Sequence, residues 1–219
     1  MTTFEDARLA DAPLEDARLE ARRDYDALDF ADLDLAGQAA ADARFVECRF
    51  VRSNLDGLSL RRARILGCLL EDVRAAAVDF ADSTWRDCLI DGGRLGAVRL
   101  AGASWTSVRV RGCKLEFLDL AGAQLEDVAF EDCLIASLDA RTARLRSVSF
   151  VGCSIDELNI SEAKLSAVDL AGADLRSLVG IDSLRGATIN EGQLQDLAPL
   201  LAEQLGITLR RPDRAPGLA

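Results

Sequence analysis

The chain has 219 residues, 49% of them apolar, with 37 acidic against 26 basic residues and a net charge of −11. Such a length can bury a real core, while the acidic balance disfavours direct contact with nucleic acid or an anionic membrane. There is no histidine, which excludes His-based acid–base catalysis, Ser-His and Cys-His nucleophile pairs, and the commonest metal ligand.

The first stretch, residues 1–22, opens Met-Thr-Thr-Phe-Glu-Asp. It lacks the basic and apolar regions of a secretory signal, and no run in the chain approaches the ~20 apolar residues of a membrane helix. A cytoplasmic protein with no membrane partner is the expectation. Phe4, Leu9, Leu14 and Leu19 fall five apart, with Ala7, Ala12 and Ala17 two residues before the leucines. The phase then slips by one residue at Arg22-Arg23-Asp24, which suits a solvated corner. An irregular first coil or N-terminal cap is favoured over a separate arm.

From residue 23 to 180 the pattern is unbroken. Every fifth residue from Tyr25 to Leu175 is apolar, only Ala40, Ala75 and Ala140 being small. A period of five belongs to neither a helix nor a strand, so it must come from a repeating supersecondary unit. The residue two before each of these recurs with a longer period. Ala43, Ala63, Ser83, Ala103, Ala123, Ala143 and Ala163 form one series, and Cys48, Cys68 and Cys88 continue into Val108, Val128, Val148 and Val168. Cys113, Cys133 and Cys153 form another, and Leu58, Val78, Val98, Leu118 and Leu158 a fourth. Four five-residue units therefore make one twenty-residue coil. Residues one coil apart should lie about one strand spacing (~4.8 Å) from each other.

The cysteines are spaced by twenty within each trio, with no CxxC pair. They read as compact, reduced core residues rather than metal ligands, although stacked neighbours at ~4.8 Å fall within the Cα range of a disulfide. Trp85 and Trp105, one coil apart, read as stacked core rings. Gly92, Gly93 and Gly96 make no phosphate loop, and no GxSxG elbow is present.

Past residue 180 the repeat stops. Asn190 and Gln193 have capping-box chemistry. Leu194, Leu197, Leu201 and Leu205 follow at near-helical spacing, and Gly206 is a stop. Pro199 interrupts this segment, so two short helices are expected over 181–209. Their role is to cap the open backbone of the last coil. The tail 210–219 reads as disordered.

This pattern resembles the pentapeptide-repeat family, whose consensus is roughly Ala-Asp/Asn-Leu-x-x. Ala163-Lys-Leu-Ser-Ala167, Ala173-Asp-Leu-Arg-Ser177 and Ala123-Gln-Leu-Glu-Asp127 fit it well. The resemblance covers about residues 23–180. It implies an all-β solenoid, a right-handed quadrilateral β-helix of about eight coils and ~38 Å length. Some members dimerise through C-terminal elements, which makes Leu194, Leu197, Leu201 and Leu205 candidates for a cap or homodimer contact. Members of the quinolone-resistance type are thought to mimic duplex DNA and bind DNA gyrase.

The same register sorts outward charges onto sides. The side centred on Phe50 and Phe130 sums to −4, that of Leu60 and Leu120 to −3, that of Leu55 and Leu115 to about −2, and that of Phe45 and Leu145 to about +2. The candidate partner-binding residues are accordingly Glu71, Asp72, Asp91, Glu131 and Asp132 on the first side and Asp79, Asp82, Asp119 and Asp139 on the second. B-DNA over the same ~38 Å carries roughly 22 charges, so the acidic sides are a diluted mimic, interrupted by Arg49, Arg52, Arg109 and Arg111. Carboxylate pairs such as Glu126-Asp127 and Asp156-Glu157 fall on outward turns and read as solvated rather than catalytic. The reading is a non-enzymatic scaffold without cofactor, binding an unknown protein partner. The alternative is a DNA-mimicking binder of DNA gyrase or another type II topoisomerase that confers quinolone or topoisomerase-poison resistance.

Overall fold

The structure, a computed structural model, describes residues 18–208; the expectations for Phe4, Leu9 and Leu14 and for the 210–219 tail lie outside them. A five-residue unit cannot bury its apolar side chain alone, so the chain winds until units stack. Parallel pairing then joins each unit to the one twenty residues on. Tyr25, Phe45, Ile65, Trp85, Trp105, Leu125, Leu145 and Leu165 form one continuous in-register column. The strands make two parallel sheets, each folded over two adjacent sides. A twelve-stranded sheet covers the sides centred on Phe45 and Phe50, and an eight-stranded sheet covers those of Leu55 and Leu60. The result is the expected β-solenoid of about eight turns.

Corners come from the backbone. In the second coil Asp42, Glu47, Arg52 and Gly57 have φ of 61°, 52°, 51° and 69°, all left-handed. Asp and Gly recur at such positions because they tolerate this region best. One corner changes type along the rod. Gly37 and Gly57 are left-handed there, but from Ala77 onward the chain runs straight through, as in the strand Arg74–Asp79. At that step Asp56 Oδ1 accepts the N–H groups of Ala76 and Ala77 at 3.0 and 3.1 Å.

The core is a single column of stacked side chains. Tyr25–Phe45, Phe30–Phe50 and Phe130–Phe150 lie with ring centroids 4.8, 4.7 and 4.9 Å apart and planes within 8°. Coil spacing has thus become ring spacing. At the N-terminal end of the described residues Leu19 is buried, and its N–H donates to Gln38 Oε1. The one-residue slip lets Leu19 turn inward while Arg22 takes a left-handed corner.

The C-terminal end departs from expectation in one respect. A 3₁₀ turn at Ile181–Ser183 is followed by one helix, Glu191–Gln204, that runs through Pro199, not by two helices. Pro199 removes one N–H, and the helix is held elsewhere: its capping box is complete, with Gln193 N–H on Asn190 Oδ1 and Asn190 N–H on Gln193 Oε1, each 2.9 Å. Gln193 Nε2 also donates to the Leu170 and Ala173 carbonyls, both at 2.8 Å, and Asn190 Nδ2 to the Ala171 carbonyl. The capping residues therefore also close the last coil. Gly206, with φ of 70°, ends the helix as expected.

Candidate interaction surface

Among the described residues, inward positions hold apolar side chains and free thiols. All six cysteines are free and buried. In every case the thiol donates to the carbonyl two residues earlier, as Cys88 does to Arg86 at 3.2 Å and Cys113 to Arg111 at 3.3 Å. Ser53 makes the same bond to Val51, so the position calls for a small donor that satisfies an inward-turned corner carbonyl. Burial pushes the Cys88 thiol up to about 11. Hydrogen bonding to a stacked thiol, together with burial, pushes Cys68, Cys113 and Cys153 well above the ordinary range. Such thiols are poor nucleophiles. Trp85 and Trp105 are core rings, 5.6 Å apart and tilted by 45°. Among the described residues no group of His, Cys, Asp and Glu could hold a metal, and no helix is long and apolar enough to cross a membrane.

The nine acidic candidates divide by what their oxygens already do. Asp79, Asp119 and Asp139 are corner builders, each accepting the N–H two residues on, from Ala81, Ala121 and Arg141 at 3.0, 3.0 and 3.1 Å. Asp79 also pairs with Arg61 and Arg99, and Asp139 with Arg141. Against the upward push of burial, the Arg141 guanidinium holds Asp139 below the usual carboxylate range. Asp82 pairs with Arg61, Glu71 with Arg49 at 3.9 Å, and Asp91 with Arg111, which keeps the Asp91 carboxyl low. Asp72, Glu131 and Asp132 make no ion pair among the described residues.

Several pairs join residues exactly one coil apart: Arg52 with Asp32, Arg62 with Asp42, Arg111 with Asp91, Arg146 with Glu126 and Arg176 with Asp156. Vertical ladders of alternating charge thus cancel much of the acidity that a tally by sides ascribes to the rod. At the C-terminal end Leu197 is buried and Leu201 half-buried, while Leu194 and Leu205 are exposed. The first two contribute to the cap and the last two face outward.

One feature escaped the tally. On the side centred on Leu55 and Leu115, Arg74, Arg94 and Lys114 stand in register on three consecutive coils, all exposed, and none makes an ion pair among the described residues. The carboxylates that brought this side to about −2 lie towards its ends, at Asp34, Asp56, Asp156, Glu157 and Asp174. On its middle three strands only Glu116 offsets the cations. Reading each column separately, rather than summing each side, would have found it. Beside the column, at the corner where the chain runs straight through, lies a shallow trough of about 240 Å³. Its floor is small, Gly57, Ala77 and Ala97, and the ring of Phe117, 40% exposed, walls it.

No family model matches the chain, and comparison with curated proteins finds no match. Among solved structures, it is similar to HetL, a pentapeptide repeat protein involved in heterocyst differentiation regulation from the cyanobacterium Nostoc sp. strain PCC 7120. Identity there is 19% over 80% of this chain and 92% of that one, with a TM-score of 0.34. It is also similar to full-length QnrB1, a plasmid-mediated fluoroquinolone resistance protein, at 15% identity over 84% of this chain and 100% of that one, with a TM-score of 0.35. On its own register, five residues to a side and twenty to a coil, the chain is a pentapeptide-repeat β-solenoid.

Proposed function

We propose that the chain is a non-enzymatic, protein-binding rod, an interaction scaffold that uses no cofactor. The observation that carries this reading is where the polar chemistry lies. Inward columns hold apolar side chains and small donors engaged with backbone carbonyls, whereas the charged groups form ordered outward columns at coil spacing. Binding without turnover is what such a surface supports. Six buried free thiols suit a reducing compartment, consistent with a cytoplasmic location. A captured partner should form a saturable complex, cross-link to outward positions of the β-sides and return unchanged in mass. A partner released chemically altered would remove the scaffold reading.

The alternative, a DNA-mimicking binder of DNA gyrase, draws its support from Asp72, Glu131 and Asp132, carboxylates on one side that no ion pair occupies. Against it stand the six other candidates, which arginines or corner amides already engage. A duplex mimic needs an anionic column without cations in it. The scaffold reading expects gyrase supercoiling, and its trapping by a quinolone, to be unchanged by the purified chain. Inhibition or protection would instead favour the mimic. A second copy is a further proposed partner, docking on the exposed Leu194 and Leu205. Sedimentation of the parent and of Leu194→Glu/Leu205→Glu tests it, a dimer in the parent that the variant abolishes being the expected result.

A further inference from the structure

Three like charges stacked one strand spacing apart, without a counter-charge, are a local cost to the fold. Elsewhere on this rod several arginines have a partner of opposite sign one coil away: Asp32 stands beneath Arg52, Asp42 beneath Arg62, and Asp91 beneath Arg111. In the column of Arg74, Arg94 and Lys114 no aspartate or glutamate intervenes. The column continues into Leu134, an exposed leucine, and its strands carry Phe117, an exposed ring, so apolar surface adjoins the cations. Two residues past Arg94, Gly96 leaves the strand face bare. A Cβ at Gly96 would lie 2.2 Å from the Ala76 carbonyl oxygen, so the coil approaches its neighbour too closely for any side chain.

We propose that the outward face of the strands Arg74–Asp79, Arg94–Arg99 and Lys114–Asp119 docks an acidic α-helix of a partner protein. The proposal rests on reading the chain as a protein-binding rod and names the chemistry of what it binds. The helix lies along the rod axis, presents one carboxylate per turn to Arg74, Arg94 and Lys114, and sets an apolar side chain into the trough against Phe117. Two lengths favour a helix over an extended segment. Helical pitch is about 5.4 Å and coil spacing about 4.8 Å, so three carboxylates stay within about 1 Å of three cations over two steps. Side chains on one face of an extended strand recur at roughly 6.6–6.8 Å and lose register by nearly one coil over the same span. Across the face, positions 94 and 97 are three residues or about 10 Å apart, and a helix with side chains is about 10–12 Å wide. One helix can therefore touch the cation column and the trough together. Glu116, beside Lys114, orients the acidic stripe towards the Arg74 edge, while Asp79 and Asp119 line the far side of the trough, where Asp79 already pairs with Arg61 and Arg99 and Asp119 holds the Ala121 N–H.

The test uses the full-length chain and a fluorescent alanine-based helical peptide with glutamates at positions i, i+4 and i+7, one per turn, and one leucine on the neighbouring stripe. Fluorescence anisotropy at low ionic strength should show saturable binding that weakens with salt. Arg94→Glu should weaken it roughly tenfold or more. Arg144→Glu, an exposed position on another side, should leave it unchanged. Because Arg94→Glu relieves the like-charge stack, its melting temperature should not fall, so lost binding cannot be put down to unfolding. A peptide of the same composition with its glutamates scattered around the helix should bind weakly. Equal binding by the parent and Arg94→Glu, equal binding of the scattered peptide, or no binding of the in-register peptide would each overturn the proposal. A duplex DNA that bound this face more tightly would do the same. These failures would leave the scaffold reading standing, whereas a peptide recovered chemically altered would remove that reading itself.

Discussion

Ser83 and Ala103 occupy the same inward column one coil apart, and the indoles that follow them feel the difference. Trp85 Nε1 donates to Ser83 Oγ at 2.8 Å, and Ser83 in turn donates to the Phe80 carbonyl. Trp105 Nε1 is buried without a partner. Ser83→Ala should therefore destabilise by about 1–3 kcal/mol, since it strips a buried donor of its acceptor. Trp105→Phe should cost about 1 kcal/mol less than Trp85→Phe, the loss of volume being common to both. Urea midpoints of the variants check this, and equal losses would contradict it. Cys88 makes a second prediction. Above the free-thiol value near 8.5 the unfolded chain gives up the Cys88 proton that the folded chain keeps, so this residue's contribution to stability falls with rising pH up to about 11. Urea midpoints under reductant at neutral and alkaline pH should show this fall, and Cys88→Ser should make it shallower. The burial of these residues was legible from the twenty-residue recurrence. The hydrogen bonds were not, because one serine in a column of alanines looks like neutral drift until the indole is seen beside it.

Among the elements, the end caps join the solenoid to ordinary helix chemistry. Gln193 closes the capping box with its oxygen and holds the Leu170 and Ala173 carbonyls with its nitrogen. Gln193→Ala should cost more than a capping residue alone, about 2 kcal/mol. It should also raise amide exchange first in the last coil, around Leu170 and Asp174. Exchange that rose evenly along the rod would contradict the assignment. The capping box was legible because its spacing is local. The second role of Gln193 was not, because its partners lie about twenty residues upstream. Pro199 misled for a related reason: its ring argues against a helix interior, but it removes only one N–H from a helix already fixed by the Asn190 cap and the buried Leu197. The corner that straightens after Gly57 was hidden too, since Ala77 is compatible with both corner types and only Asp56, bonding Ala76 and Ala77, marks the change.

For the whole molecule, the register that fixes the fold also decides which charges meet. Five-residue spacing was enough to place every charge on a side, and that gave the acidic candidates. Summing by sides hid the pairing within a side: the twenty-residue recurrence already says which residues share a column, but not which carboxylates hold a backbone amide. Columns of alternating sign are internally neutral, and the one column of three cations stands out because no carboxylate interrupts it. The most direct measurement follows from composition. The chain's only lysines are Lys114, in that column, and Lys164, on another side. Amine acylation followed by mass spectrometry, with increasing amounts of the in-register glutamate helix, reads both at once. Protection of Lys114 while Lys164 keeps its rate is the expected result; equal protection of the two, or protection of Lys164 alone, would contradict an acidic helix docked on the Arg74, Arg94 and Lys114 face.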